Sequence, residues 1–363
     1  MKQRLLLVLF VLVFIPFLIT FRVNSTPSTS AKLAVPTVEK SSSTSLRSLA
    51  DKRGFGIGAA VEMEPLENDA NYRKVLAREF NILVPENQFK FEYVHPKTDG
   101  YDFTDADLLV DFAQANKMKV RGSPLVWHYS LPTWVETGNY TRPQLLAILK
   151  KHIQTVVGRY RGKVYAWDVV NEVINRDGSL RDTIWLRNIG PEYIDLAYRW
   201  AHEADPEAKL FYSDYAAEEL GQKSDGIYDM LRGLVQRGVP VNGLGFQAHL
   251  GLKYIPNLES ISKHIKRIGD LGLEVQFTEL DVKVQEGTGS PEERLAAQAS
   301  LYGDLLQVCT SSPNCSAFIT WGFTDRYTWI QATTGIVEAP LIFDTSYTPK
   351  PAYNTIQQIL SSQ

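Results

Sequence analysis

The chain has 363 residues, 44% of them hydrophobic, so it can bury the core of one large domain or of two ordinary ones. The formal net charge of −3 hides an asymmetry, because 32 of the 38 basic residues and 40 of the 41 acidic residues lie in 51–363, which gives this part a net charge of −8. An acidic body argues against binding to nucleic acid or to an anionic membrane surface and suits a neutral substrate.

The first residues have the layout of an export signal. Lys2 and Arg4 precede an apolar run, Leu5–Phe21, that is interrupted at only two positions. No small-x-small cleavage site follows directly, and the run is near the lower length limit for crossing a bilayer. We therefore expect residues 1–23 to act as a signal peptide or as a signal anchor. Either role places the protein outside the cell, secreted or tethered to the membrane.

A change of composition separates this segment from the rest of the chain. Residues 24–50 are rich in Ser, Thr and Pro and contain little that could form a core. This composition predicts a disordered linker that leads into a domain over residues 51–363.

The chain has two cysteines, Cys309 and Cys315, six positions apart. In an exported protein, a disulfide between them is favoured over two free thiols. Neither a C-x-x-C pair nor a nearby histidine accompanies them, so we do not expect a metal site.

From Asp51 onward, short apolar strands alternate with longer amphipathic helices about eight times. Eight such units over roughly 310 residues predict an α/β fold, a single closed (β/α)8 TIM barrel, rather than a doubly wound open sheet. The predicted strands are 55–61, 81–85, 119–127, 164–170, 209–213, 243–247, 274–278 and 317–321. The predicted helices are 69–79, 105–116, 142–160, 192–203, 224–237, 258–271, 292–308 and 352–360.

Polar and aromatic residues follow most of these strands, where the active sites of such barrels lie. Residues scattered without a function would not fall so regularly. In chain order they are Glu86, Asn87 and Lys90; Trp127 and His128; Asn171 and Glu172; Asp214 and Tyr215; Gln247 and His249; Glu279 and Asp281; and Trp321 and Trp329.

Two of these residues, Glu172 and Glu279, follow the fourth and seventh predicted strands, which face each other across a barrel of eight. Alone, an acid after a strand often begins a helix. Two carboxylates in one cavity suit glycoside cleavage, in which one protonates the leaving oxygen and the other attacks or activates water. Their repulsion would raise the pKa of one of them. His249 could orient Glu279 through a hydrogen bond, and Asp281 could fix that histidine.

Aromatic residues support a sugar ligand, since the chain has seven Trp and seventeen Tyr. Aromatic faces stack on pyranose rings, and the less favoured alternative for Trp321 and Trp329 is an ordinary core. The glycines of 54–59 lie within the first strand rather than after it, which argues against a dinucleotide site. The sequence contains no G-x-S-x-G, Walker or H-E-x-x-H motif. We expect neither a metal nor a cofactor.

Six separated motifs together resemble one enzyme family over nearly all of 51–363. They are Glu86-Asn87-x-x-Lys90, Leu125-Val126-Trp127-His128, Trp167-Asp168-Val169-Val170-Asn171-Glu172, Gln247-x-His249, Thr278-Glu279-Leu280-Asp281 and Trp321-Gly322-Phe323-x-Asp325-x-Tyr327-x-Trp329. The set resembles glycoside hydrolase family 10, whose best-known members are retaining endo-1,4-β-xylanases.

This resemblance implies a (β/α)8 barrel in which Glu172 is the acid/base and Glu279 is the nucleophile. It implies that Asn171 holds the hydroxyl next to the anomeric carbon, and that Trp321 and Trp329 cover the bound sugar. Many members also have a disulfide before the last strand, where Cys309 and Cys315 stand. The further substrate-binding residues that we expect are Glu86, Asn87, Lys90, Trp127, His128, Tyr215, Gln247 and His249.

Four positions depart from the family pattern near the predicted cleft. Ser123 stands where the family usually has His, and Ser130 where it commonly has Gln. Phe91 replaces the usual Trp, and Ser213 the usual Asn. Loss of an imidazole and an amide removes contacts to sugar hydroxyls without touching the two glutamates, so the sequence defines the reaction better than the substrate.

Three hypotheses follow. The first is a retaining endo-1,4-β-xylanase that acts on xylan as a monomer. The second keeps the same two acids and acts on another β-linked glycan, because of Ser123 and Ser130. The third, from a different class of protein, is a barrel that binds carbohydrate without cleaving it. The presence of both glutamates, Asn171 and His249 argues against the third.

Overall fold

Runs of apolar residues form the strands of a closed parallel barrel in the computed structural model, which describes residues 45–362. Around the barrel the strands neighbour one another in the order β6-β5-β4-β3-β2-β1-β9-β8, and β6 pairs with β8 to close it. The predicted (β/α)8 barrel is confirmed. The strands are β1 Gly56–Val61, β2 Ile82–Pro85, β3 Lys119–Gly122, β4 Val164–Asn171, β5 Lys209–Asp214, β6 Gly243–Phe246, β7 His249–Gly251, β8 Glu274–Lys283 and β9 Cys315–Thr320.

Helices alternate with these strands along the chain and bury their apolar faces. They are α1 Leu46–Asp51, α2 Met63–Asn68, α3 Ala70–Glu79, α4 Phe91–Val94, α5 Thr104–Ala115, α6 Thr133–Glu136, α7 Arg142–Arg159, α8 Ile184–Ile189, α9 Glu192–Ala204, α10 Gln222–Gln236, α11 Leu258–Gly269, α12 Pro291–Thr310, α13 Trp329–Thr334 and α14 Pro351–Ser362, with a 3-10 turn at Asp325–Tyr327.

Two strand boundaries differ from the prediction by five residues, and both affect the site. The third strand ends at Gly122 instead of residue 127, because the pairing of β3 with β4 shifts register and Pro124 has no N–H for a ladder. The seventh predicted strand runs on from 278 to Lys283, because beyond the barrel it pairs with the short strand β7. Glu279 therefore lies within a strand rather than after one.

The ordered domain begins earlier than predicted. Helix α1 covers residues that the sequence assigned to the 24–50 linker, and Leu46 and Ala50 are fully buried. The Leu46 N–H donates to Glu79 Oε2 at 2.9 Å, and α1 packs against α14 and β1. Their helical spacing puts Leu46 and Ala50 on one face, so 46–50 belong to the barrel. The predicted export signal and the rest of the predicted linker lie outside the described residues.

The barrel interior contains a buried ion pair. Arg121 on β3 and Asp168 on β4 are hydrogen-bonded to each other, and Arg121 Nη1 donates to Gln276 Oε1 at 2.7 Å. Its guanidinium lies 4.6 Å from the centre of the Phe211 ring. Burial raises the pKa of Asp168, and the guanidinium opposes this shift. A pair held by several contacts in this way can stay charged away from water.

The two cysteines form a disulfide between the end of α12 and the start of β9, with their Cα atoms 5.2 Å apart. The bond closes a loop of a few residues beside the last barrel strand. Within residues 45–362, no helix combines the length and the apolar character needed to span a bilayer.

Candidate active site

Glu172 comes directly after the last residue of β4 and has a strained backbone. Its φ angle is +56°, in the left-handed region, which costs a non-glycine residue roughly 1 kcal/mol or more. Two hydrogen bonds hold it there: its N–H donates to the Ser213 carbonyl at 3.0 Å, and its carbonyl accepts from Arg181 Nε at 2.8 Å. The side chain is only 8% exposed. The backbone that follows β4 therefore fixes the direction of this carboxyl group.

One short segment, Gln247–His249, which connects β6 to the start of β7, holds both predicted catalytic carboxylates. Gln247 Nε2 donates to Glu172 Oε1 at 3.0 Å, and His249 Nε2 lies 3.2 Å from Glu279 Oε2. Between them, Ala248 has a φ of +56°, and its N–H donates to Glu218 Oε1 at 2.8 Å. The structure thus brings Glu172 and Glu279 to the same small region, as the sequence predicted.

His249 lies between two carboxylates, in a hydrogen-bonded series that runs from Asp281 through His249 to Glu279. Its Nδ1 lies 2.9 Å from Asp281 Oδ2, and the same oxygen accepts from the Trp329 indole at 2.8 Å. Burial disfavours the charged imidazole, but the carboxylates of Asp281 and Glu279 outweigh it and raise the pKa of His249 to about 10. The ring is therefore an imidazolium at neutral pH and donates to both carboxylates.

Burial is the main cause of a raised pKa at Glu279, and the His249 imidazolium opposes it. Repulsion from Glu172 also raises the pKa of Glu279, as predicted, but it contributes less than burial does. The larger contribution follows from how completely the strand buries Glu279, which is 7% exposed.

Asn171 lies in β4, next to Glu172, and its amide is held from two sides. In the orientation that gives each amide atom a suitable partner, Nδ2 donates to the Ser213 carbonyl at 2.9 Å and Oδ1 accepts from the Trp127 indole at 3.3 Å. Trp127 is thereby fixed against the end of β4. Its ring also lies 5.6 Å from the ammonium of Lys90.

These residues open onto a cleft of about 800 Å³ at the carboxyl end of the barrel. Both glutamates and the two tryptophans Trp321 and Trp329 line it. Nine of the predicted site residues line this cleft: Lys90, Trp127, Glu172, Tyr215, Gln247, His249, Glu279, Trp321 and Trp329.

The other predicted residues support the cleft walls from behind. Asn87 accepts from Lys90 Nζ at 2.7 Å. Glu86 is buried, and its burial, together with repulsion from Glu62, raises its pKa to about 8. Both ring nitrogens of His128 are buried and have no hydrogen-bond partner among residues 45–362. Burial lowers the pKa of His128 to about 4.

The four departures from the family pattern do not line the cleft. The Ser123 hydroxyl hydrogen-bonds Asp168 in the barrel interior. Phe91 stacks on His152 with ring centres 3.6 Å apart. Ser213 Oγ lies 3.5 Å from Thr278 Oγ1. Ser130 has a φ of +53° and accepts the Glu92 N–H through its carbonyl.

Several cleft residues were not predicted from the sequence. Most of them lie in loops, where no periodicity tells which side chain turns inward, although Tyr129 directly follows a recognised motif and Arg176 lies four residues after Glu172. They are Tyr129, Arg176, Ala216, Glu218, Glu219, Leu250, Gly251, Tyr254, Pro256 and Thr333. Leu250 and Gly251 lie in β7, and Thr333 lies in α13.

The arrangement has the parts needed to cleave a glycosidic bond. Glu279 is a carboxylate held by a cation, Glu172 is a second carboxyl group held by an amide, and aromatic rings form the walls between which a sugar can bind. No group of three or more His, Cys, Asp or Glu in the described part of the chain is arranged to hold a metal ion. The fold and the site define a TIM-barrel glycoside hydrolase.

Comparison with known proteins identifies the family. The chain belongs to glycosyl hydrolase family 10, whose family model matches residues 45–359. It is 42% identical to endo-1,4-beta-xylanase B of Thermotoga neapolitana over 88% of this chain and 92% of that protein. It is 40% identical to beta-1,4-xylanase of Dictyoglomus thermophilum over 94% of this chain and 96% of that one.

The fold is also similar to solved structures. One is xylanase 10B from Thermotoga petrophila RKU-1 in complex with xylobiose, at 41% identity and a TM-score of 0.84, over 87% of this chain and 97% of that one. Another is native xylanase 10B from Thermotoga maritima, at 42% identity and a TM-score of 0.85, over 87% of this chain and 98% of that one.

The charge on His249 gives a pH-dependent contribution to stability. Since the folded pKa of about 10 lies above the ordinary value of 6.5, this stabilisation is fully present below about pH 6.5 and is lost as pH rises through about 10. We expect His249→Gln to lower Tm most at about pH 6 and progressively less up to about pH 10.5. Thermal unfolding across this range measures the difference.

His202→Gln is the matched control, because His202 is an exposed histidine on α9. Its effect on Tm should be small and should not follow the same trend. A constant difference between wild type and His249→Gln from about pH 6 to about pH 10.5 would contradict the assignment of a charged imidazole.

Proposed function

We propose that this chain is a retaining endo-1,4-β-xylanase that cleaves internal β-1,4-xylosidic bonds of xylan as a monomer. The observation that carries the proposal is the Gln247–His249 segment, which holds Glu172 and Glu279 at one cleft. The xylanases to which the chain is similar support xylan as the substrate.

In the first step, a Glu279 carboxylate oxygen attacks the anomeric carbon of the bound sugar. The bond from that carbon to the glycosidic oxygen breaks as Glu172 gives its proton to the leaving oxygen, and a covalent glycosyl ester forms on Glu279. The His249 imidazolium supports this step by favouring the ionised form of Glu279, against the effect of burial.

In the second step, Glu172 acts as the base. It takes a proton from a water molecule, whose oxygen attacks the same carbon from the face that the leaving group vacated. The ester bond breaks, the Glu279 carboxylate is regenerated, and the sugar retains its original configuration. Glu172 is protonated again and ready for the next cycle.

Substitution of either glutamate tests these roles. We expect Glu172→Gln and Glu279→Gln to lower kcat on a β-xylobioside with a poor leaving group by a factor on the order of 10³ or more, because neither amide can attack or transfer the proton. Azide added to Glu279→Ala should restore turnover and give the glycosyl azide of inverted configuration.

Glu274→Gln is the matched control. Glu274 lies at the other end of β8, where it forms an ion pair with Lys209. We expect the kcat of the Glu274→Gln variant to stay near that of the wild type. Near-wild-type turnover by Glu279→Gln would rule out the nucleophile assignment.

The substrate requires a separate experiment, since Ser123 and Ser130 motivate a second hypothesis of another β-linked glycan. We expect kcat/KM to be highest on xylan when xylan, cellulose and mixed-linkage β-glucan are compared, with short xylo-oligosaccharides as products. A higher kcat/KM on a glucan would favour the second hypothesis. Binding to xylan without release of reducing ends would favour a carbohydrate-binding barrel.

We also propose that residues 1–23 direct export, with the protein either secreted or tethered through Leu5–Phe21. The support is the layout of Lys2 and Arg4 before the apolar run. Expression of the full chain in a bacterial host, followed by fractionation and N-terminal sequencing, distinguishes a cleaved extracellular form from a full-length membrane-bound form. Recovery of uncleaved protein in the cytoplasm alone would contradict export.

A further inference from the structure

The two glutamate-bearing strands divide the barrel rim into two arcs. Glu172 follows β4 and Glu279 lies in β8, so β5 and β6 form one arc between them, while β3, β2, β1 and β9 form the other. The longer arc carries Lys90, Trp321 and Trp329. The shorter arc, which we call the β5–β6 end of the cleft, is lined by Tyr215, Glu218, Glu219 and Tyr254.

Arg176 joins this end of the cleft on a tight turn that follows Glu172. The Asn175 N–H donates to the Ser179 carbonyl at 2.8 Å, and the Gly178 N–H donates to the Asn175 carbonyl at 3.0 Å. Gly178 has a φ of +85° and packs against α10, where a Cβ at Gly226 would meet the Gly178 carbonyl oxygen at 2.3 Å. The turn therefore has a fixed position against the helix that follows β5.

The Arg176 guanidinium is exposed at the cleft and has no hydrogen-bond or ion-pair partner among residues 45–362. Its neighbour Asp177 forms no ion pair with it; Asp177 Oδ1 accepts instead from the Ser179 N–H at 3.0 Å and from the Ser179 hydroxyl at 2.6 Å. The other basic side chains that line the cleft are engaged: Lys90 donates to Asn87, and His249 lies between two carboxylates.

The acids at the β5–β6 end are already held by protein donors. Glu218 is buried and accepts the Ala248 N–H. Glu219 accepts from the Tyr254 hydroxyl at 2.8 Å and from the Asn257 N–H at 2.8 Å. A free guanidinium beside them offers two parallel N–H groups in one plane, which is the geometry that binds a carboxylate.

We propose that Arg176 binds the carboxylate of a uronic acid side group on the substrate, so that the β5–β6 end of the cleft selects for acidic, substituted xylan. The inference rests on the proposed function. The neutral xylose backbone offers only hydroxyl groups, and a uronate is the side group whose charge and planar carboxylate match a guanidinium. Tyr215 and Tyr254 provide aromatic faces for the sugars that carry it.

Three substrates test this specificity: glucuronic acid-substituted xylan, the same polymer after chemical reduction of its carboxyl groups to alcohols, and unsubstituted linear xylan. We expect the wild type to have a higher kcat/KM on the acidic polymer than on its reduced form, by about two- to fivefold for one exposed ion pair. Arg176→Gln should lose this difference and keep wild-type kcat/KM on linear xylan.

Arg161→Gln is the matched control. Arg161 is also exposed and without a side-chain partner within the described residues, but it lies in the turn before β4, at the opposite end of the barrel. This variant should keep the full preference for the acidic polymer. About 0.5 M NaCl should reduce the wild-type preference and leave Arg176→Gln unaffected, because salt screens an exposed ion pair.

Equal loss of kcat/KM by Arg176→Gln on all three substrates would overturn the proposal, since it would assign Arg176 to the neutral backbone or to the fold. Retention of the wild-type preference by Arg176→Gln would also overturn it. Activity of the wild type on linear xylan tests the proposed function independently, because that substrate carries no carboxylate.

Discussion

The site depends on hydrogen bonds from one three-residue segment to both cleft glutamates. Gln247 and His249 flank Ala248, whose positive φ turns the chain between β6 and β7, and each hydrogen-bonds a different glutamate. Glu172 and Glu279 come from strands that are separated around the barrel, so no local interaction could set their relative position. The segment can align the two glutamates only when the barrel is closed, because only then do their strands lie on either side of it.

Charge is arranged in layers along the barrel axis. The Arg121–Asp168 pair fills the interior, and the Asp281–His249–Glu279 chain lies at the rim. In both groups a cation lies beside the buried acids, which limits the desolvation cost that unpaired charges would carry. At Glu279 the balance is incomplete, because burial still raises its pKa. Such an imbalance is typical of a group positioned for reaction rather than for stability.

Much of the fold could be predicted from the sequence, because barrel strands buried on both faces read as apolar runs. Glu172 and His249 could be located because they are polar residues that directly follow such runs. The apolar runs could not show that β8 continues past Glu279, since the extension depends on pairing with β7 far along the chain. Short helices such as α1 have too few turns to show a period. Tyr129 and Arg176 were missed because loop side chains take their direction from tertiary contacts.

Trp329 and His249 share one acceptor, Asp281 Oδ2. The Trp329 wall of the cleft and the imidazolium beside Glu279 are therefore joined through a single oxygen atom. If a bound sugar moves the indole, the field at Asp281 changes, and with it the proton affinity of His249 and Glu279. By thermodynamic linkage such an effect would be reciprocal, so the ionisation state of Glu279 would also influence how tightly a sugar binds against Trp329. Binding of a sugar in the cleft and ionisation of Glu279 would then be coupled equilibria.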